Sequence, residues 1–238
     1  MNYSRQNSMT DLEELVDKEV EELESREDVR AVAVVGSYAR GEDEHNDIDL
    51  FVIVDGNWRK REGELVNGML VERFYNSFEG AKKYLDGDSW YTSYHWYRNA
   101  EPRYDPESLF EKLADLAGQK RNEKMEVNEE ELLYTIWDKK QDLDTRDVGQ
   151  KRYLMNEFFN YLLFQHYLLK GEVPVKTNYR VKKLKNFDGY MYKLSQDFLT
   201  SSSTGDKERT LEKMIDHVTR NMGEPGPEWS TEKEYMED

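Results

Sequence analysis

Residues 36–54 read GSYARGEDEHNDIDLFVIV, and the fold turns on how this stretch is read. Ahead of it, Val32 to Val35 form a short apolar run, largely β-branched, that suits a buried strand. Gly36 lets the backbone turn sharply and approach a ligand closely. Ser37 follows where a helix can begin, and Ser is a favoured N-cap. A helix N-terminus behind a glycine offers free backbone N–H groups to an anion, so a phosphate fits there. Ten residues after Ser37 stands Asp47, then Ile48 and Asp49, and Leu50 to Val54 continue as a second apolar run. Alternation with period 2 sets Asp47, Asp49 and Phe51 on one face of that strand.

Two carboxylates side by side on a strand face are costly unless a cation neutralises them. Hard oxygen ligands of this kind suit Mg²⁺, which keeps waters and takes its remaining ligands from substrate phosphates. A carboxylate pair can also bridge two metal ions about 4 Å apart, which clamp the attacking and leaving oxygens of an in-line displacement. A third acid would complete such a site from a neighbouring strand. Residues 68–75 read as that strand, with Leu70, Glu72 and Phe74 on one face and Met69, Val71, Arg73 and Tyr75 on the other. Alone, Glu72 reads equally as a solvent-facing glutamate on an edge strand. The Asp47/Asp49 pair upstream favours it as the third carboxylate.

Gly36-Ser37 followed by Asp47-Ile48-Asp49-Leu50 resembles the signature of the nucleotidyltransferase superfamily that includes DNA polymerase beta. More narrowly, GSYARG and then NDIDLFVIV is similar to the minimal nucleotidyltransferases and to the antibiotic ones of kanamycin, streptomycin and lincosamide type. The similarity is dense over residues 32–54, extends to about residue 120, and is weak beyond, where those enzymes have helical C-terminal halves. A lone Gly-Ser or a lone Asp-x-Asp is unspecific; the two at this spacing between apolar strands form a fairly specific motif.

The resemblance implies an enzyme that binds a nucleoside triphosphate with Mg²⁺, two ions being expected, and transfers the nucleoside monophosphate to a hydroxyl with release of pyrophosphate. Gly36 and Ser37 would hold the triphosphate, and Asp47 and Asp49 would ligate the metals. Glu72 would ligate the metal nearer the acceptor and help deprotonate it. Arg40, where the family often has a basic residue, would reach a phosphate oxygen or pair with Glu42 or Asp43; both readings stand. By analogy with related helical domains, Lys176 is a further triphosphate contact, against the plainer reading of a solvated helix face. ATP is the expected donor and a small polar, antibiotic-like molecule the expected acceptor. Because antibiotic-type relatives sometimes place two sites at a dimer interface, a homodimer is one expected arrangement. Two alternatives are a toxin/antitoxin-type transferase acting on a protein or RNA, and a nucleotide sensor that does not transfer.

A chain of 238 residues makes one large domain or two modest ones. The formal net charge of −16 opposes general affinity for nucleic acid, because a polyanion is repelled. It is compatible with a cationic acceptor and equally with solubility alone. With no cysteine there is no disulfide, and the four scattered histidines show no metal-ligand spacing, so no zinc site is expected. There is no positive-then-apolar leader and no run approaching about 20 apolar residues, which points to a cytoplasmic chain without a membrane span.

The expected fold is α/β, a small mixed-sheet domain followed by a helical bundle. Residues 10–27 read as a helix with a Thr10–Glu13 capping box and a Leu12, Leu15, Val16, Val20, Leu23 stripe. Strands at 32–35, 48–54 and 68–75, a helix at 78–85, a last strand at Arg103–Tyr104 and a helix from Pro106 to Lys120 complete a catalytic domain over 1–122. Glu42 to His45 reads as a solvated acidic loop. Helical stripes at 132–137, 153–169, 184–199 and 211–222 place the second domain at 125–223, with a flexible break at 202–207. The Pro/Gly-broken acidic tail, 224–238, is expected to be disordered. The aromatic run Trp90–Tyr97 reads either as a stacking surface for a base or acceptor or, more plainly, as core packing. Asp138, Asp142, Asp144, Asp147 and Glu157 are acids of which one could serve as a base toward the acceptor.

Overall fold

The computed structural model describes residues 9–40 and 47–230. The acidic stretch at 42–45, the Thr10 side chain of the expected capping box and residues 231–238 lie outside the described residues. The chain divides into two compact units between Glu123 and Lys124.

The first unit is a five-stranded mixed sheet in the order β3-β4-β2-β1-β5. Its strands are β1 (Val29–Val35), β2 (Asp47–Val54), β3 (Arg59–Val66), β4 (Met69–Ser77) and β5 (Glu101–Tyr104). β1 and β2 are antiparallel, β2 and β4 parallel, and β3 closes a hairpin on the outer edge of β4. Helices cover both faces of the central strands, which is why these read as continuous apolar runs rather than as alternation. On one face Leu12, Val16 and Val20 of α1 (Met9–Glu24) pack against Val32, Val34, Ile48, Leu50 and Val52. On the other, Ala31, Ala33, Phe51 and Ile53 meet α3 (Phe78–Lys83), α4 (Trp90–Arg98) and α5 (Leu109–Lys124). A four-residue turn of helix, α2 (Gly36–Ala39), joins β1 to the segment before β2.

Glu19 and Glu13 of α1 tie that helix to the sheet and to α2. Arg73, on the α1-facing side of β4, donates from Nε to Oε2 of Glu19 at 2.9 Å, and Glu19 is only 5% exposed. The Tyr38 hydroxyl of α2 donates to Glu13 at 2.6 Å, and Arg103 of β5 pairs with the same carboxylate. Burial and the Glu13 carboxylate push the Tyr38 phenol up to about 12. At the end of β5 the Asp105 carboxylate accepts from the backbone N–H groups of Leu109 and Phe110 at 2.7 and 2.9 Å. The helix therefore begins at Leu109, capped by Asp105, three residues later than the Pro106 start read from sequence.

β3 is absent from the sequence reading, which placed no element at Arg59–Val66. The strand lies exposed along most of its length, so it carries no apolar alternation. Its signal is the two-residue turn Asn67-Gly68, with φ of 49° and 77°, which pairs Val66 with Met69. Asn-Gly is the strongest short-range mark of a hairpin, because both residues tolerate positive φ.

The second unit comprises α6 (Glu129–Asp142), α7 (Val148–Leu169), α8 (Thr177–Leu184), α9 (Gly189–Thr200) and α10 (Thr204–Thr219). Their core includes Ile136, Met155, Phe158, Leu162, Met191 and Phe198. The helix expected over 184–199 is α9 and starts later, at Gly189, where Asp188 caps it by accepting from Met191 N–H at 2.8 Å; α8, which ends at Leu184, is a separate helix that the sequence reading did not place. The break expected at 202–207 is largely helical, since Ser203 caps α10 through Asp206 N–H. In the tail, Trp229 stacks on Tyr134 with ring centroids 5.2 Å apart.

Candidate functional site

β2 and β4 run parallel in the register Asp47↔Leu70, Asp49↔Glu72. Asp47, Asp49 and Glu72 therefore stand on one face at the start of two neighbouring strands, and a carboxylate oxygen of each lies within 4.8 Å of the others. Three carboxylates at that spacing repel one another wherever they carry charge. The arrangement is relieved by a cation with oxygen ligands, and divalent Mg²⁺ matches this donor set. The three acids proposed from sequence are thus brought together.

The Gly-Ser turn reaches the same place from β1. Val35 pairs with Asp49, so Gly36 leaves the sheet beside the Asp49 carboxylate. Gly36 has φ +78°, and a Cβ there would lie 2.1 Å from Asp49 Oδ2. Only glycine permits both that backbone and that approach. Ser37 follows within α2, half-buried, and Arg40 ends the turn, exposed. Lys176 belongs to the second unit, where it is the residue ahead of α8.

Arg61, a residue that sequence reasoning missed, adjoins Glu72. Its guanidinium donates to Glu72 Oε1 at 2.7 Å and lies over the Phe74 ring at 4.8 Å from the centroid. It escaped notice because β3 did, and with it the register that sets Arg61 opposite Phe74. The aromatic run forms α4 and divides its work. Trp90 and Tyr97 are core, and the Tyr97 hydroxyl, its pKa raised by burial, donates to Ala81 O at 2.8 Å. Trp96 packs edge-on against Phe74 at 4.8 Å. Between α3–α4 and the β3–β4 edge is a pocket of about 850 Å³ that Phe74, Trp96 and Arg61 help to line.

In the second unit the basic residues Lys176, Arg180, Lys182, Lys183 and Lys185 do not form a uniform solvated face. Arg180 is buried and donates to Val175 O at 3.0 Å. Of the acids considered as bases, Asp147 caps α7 through Gln150 N–H at 2.9 Å. The histidines, which looked scattered, include two that converge: His166 Nε2 and His217 Nε2 lie 3.1 and 2.8 Å from Asp188 Oδ2. Arg220 donates to His217 Nδ1 at 3.1 Å, which leaves the His217 proton on Nε2, facing Asp188. Lys170 Nζ stands 3.9 Å from the same carboxylate oxygen. These two cations and the filled hydrogen bonds make the group a tie between α7, α9 and α10 rather than a vacancy for a metal. Burial lowers the His166 pKa to about 4, and the Met191 N–H and His217 bonds hold Asp188 near 2 despite its burial.

The chain matches the sequence family described as Nucleotidyltransferase domain over residues 16–159, more than half its length. Among solved structures it is similar to a nucleotidyltransferase-like protein from Exiguobacterium sibiricum 255-15, with a TM-score of 0.54 and 14% identity, covering 88% of this chain and 74% of that one. That likeness speaks to the fold. Comparison with curated proteins gives no match. No helix among the described residues is long and apolar enough to cross a membrane. With the family match spanning the Gly-Ser turn, both aspartates and Glu72, the chain belongs to the nucleotidyltransferase domain family.

Proposed function

We propose that this chain transfers a nucleoside monophosphate from a nucleoside triphosphate, ATP by expectation, to a hydroxyl of a small polar acceptor. The observation that carries the reading is the convergence of Asp47, Asp49 and Glu72 within 4.8 Å beside Gly36. Bound among these carboxylates, Mg²⁺ supplies charge neutralisation for the phosphates. The chain's own residues position the reactants. The Gly36–Ser37 turn presents backbone N–H groups toward the triphosphate, and Glu72 sits where it can take the acceptor's proton as the new O–P bond forms and the bond to pyrophosphate breaks. Such transfers need positioning and electrostatics rather than a covalent protein intermediate. Retention of all three acids supports transfer over mere nucleotide sensing.

The test is pyrophosphate release with Mg²⁺, each nucleoside triphosphate and a panel of hydroxyl acceptors that includes aminoglycosides and lincosamides. Release that depends on one acceptor and falls at least about 100-fold in Asp47→Asn is the expected result. Nucleotide binding without release from any acceptor would sink the transferase reading in favour of a sensor.

A further inference from the structure

The pocket between α3–α4 and the β3–β4 edge has a composition at odds with the rest of the molecule. The chain carries a net charge of −16. The pocket is lined by Arg59, Lys60, Arg61 and Lys83 against one carboxylate, Asp88. Lys60 is engaged by Glu62 and Arg61 by Glu72. Arg59 and Lys83 have no carboxylate partner among the described residues. Beneath these cations the floor is aromatic, with Trp96 in edge contact with both Phe51 and Phe74. Ser93 and Thr92 add hydroxyls at the α4 wall. A volume of about 850 Å³ holds one small molecule.

The sheet order fixes which reactant this pocket can serve. Reading across the strands, Gly36 follows β1, the aspartates are on β2, Glu72 is on β4, and the cations Arg59 and Arg61 are on β3. An in-line displacement needs the attacking and leaving oxygens on opposite sides of the phosphorus. With the leaving pyrophosphate on the Gly36 side, the attacking hydroxyl approaches from the β3 side, past Glu72. We propose that this pocket is the acceptor site and that it selects an acceptor carrying an anionic group, a phosphate or carboxylate, on a planar ring. The ring lies against Phe74 and Trp96, the anion meets Arg59 and Lys83, and the hydroxyl reaches Glu72. Arg61, already stacked on Phe74, flanks both ring and anion. A polycationic aminoglycoside is repelled by Arg59 and Lys83, although the net charge of the chain alone would attract it.

The acceptor assignment rests on the proposed transfer, whereas the anion site stands on the pocket alone, so the test has two arms. In the first, full-length protein with ¹⁵N-labelled tryptophan is titrated in EDTA with phenyl phosphate, and with benzyl alcohol and kanamycin as neutral and cationic counterparts. The Trp96 indole signal is assigned by Trp96→Phe. Phenyl phosphate should shift it, benzyl alcohol far less and kanamycin not at all. Affinity should fall about tenfold or more in Arg59→Glu/Lys83→Glu, both exposed positions, and stay unchanged in Asp47→Asn. An unmoved Trp96 signal, or an equal shift in the double variant, overturns the proposal. In the second arm, pyrophosphate release is compared for 4-(hydroxymethyl)benzoate and benzyl alcohol, and for hydroxybenzoate and phenol. Preference for the anionic member of each pair, lost in the double variant while neutral acceptors are retained, is expected; preference for the neutral member overturns the acceptor assignment. Absence of release from every acceptor, with phenyl phosphate still bound, counts against the proposed transfer and leaves the anion site standing.

Discussion

At the scale of the residue, Gly36 is the tightest constraint on the site. Replacing it with Ala places a methyl carbon 2.1 Å from Asp49 Oδ2 at a φ of +78°. The backbone penalty for a non-glycine residue in that region is about 1–2 kcal/mol, which the fold survives. The carboxylate cannot stay where it is. Gly36→Ala should therefore lower pyrophosphate release on the order of 100-fold, because displacement of a reacting group by an ångström costs that much. The melting temperature should fall by only a few degrees. Parallel losses of activity and of most of the stability would show that Gly36 serves the fold and not the carboxylate. The glycine and the aspartates were legible in the sequence because each sits in a short motif at the end of a buried apolar strand. Glu72 was legible as a candidate only, since its place beside Asp49 depends on the parallel register of β2 and β4. Arg61 was overlooked because the apolar pattern does not mark β3, yet the Asn67-Gly68 turn, once read, pairs Val66 with Met69 and so sets Arg61 opposite Phe74, beside Glu72.

At the scale of the element, the edge hairpin and the docking of α1 make separable predictions. Gly68, at φ 77°, closes the turn between β3 and β4. Gly68→Val, bulky and β-branched at positive φ, should cost about 2 kcal/mol or more and loosen β3. Phenyl phosphate binding should weaken with it, since Arg59 and Arg61 ride on that strand. Arg73→Ala acts on the other face, leaving the Glu19 carboxylate, 5% exposed, without its partner. Removing one member of a buried pair costs about 3–5 kcal/mol, so urea unfolding of the first unit should shift by roughly that much. A shift below 1 kcal/mol would mean that Glu19 relaxes to solvent. The elements that sequence reading recovered are those whose apolar pattern is long or unbroken: α1, β1, β2, β4 and α7. Those it misplaced or missed are decided by single polar side chains. Asp188 starts α9, Asp105 delays α5, and Asn67-Gly68 folds back a strand with no apolar face.

At the scale of the whole molecule, acid brings two opposed effects, and their signs can be separated. Protonating carboxylates on a chain of net charge −16 relieves self-repulsion and favours the folded state as pH falls. His166 works the other way. Burial holds it near 4 in the folded chain, against 6.5 for an unconstrained imidazole, with the Asp188 carboxylate pulling it upward and His217 and Lys170 pushing it further down. Between those two values the unfolded chain binds the extra proton, so the stability His166 contributes is present above pH 6.5 and is lost as pH falls toward 4. A difference of about 2.5 units corresponds to about 3 kcal/mol when fully expressed. Asp188, held near 2, remains ionised throughout that window and keeps accepting from both histidines; its own contribution fades only at lower pH, from the ordinary carboxylate range down through 2. The two effects separate in His166→Gln, which retains an amide donor toward Asp188 but cannot titrate. Amide exchange protection of α7, corrected for intrinsic rates, should fall between pH 7 and about 4.5 by roughly 2 kcal/mol more in the wild type than in the variant. Equal changes in both chains would mean that His166 is solvated and takes its proton without opening the α7–α9–α10 tie.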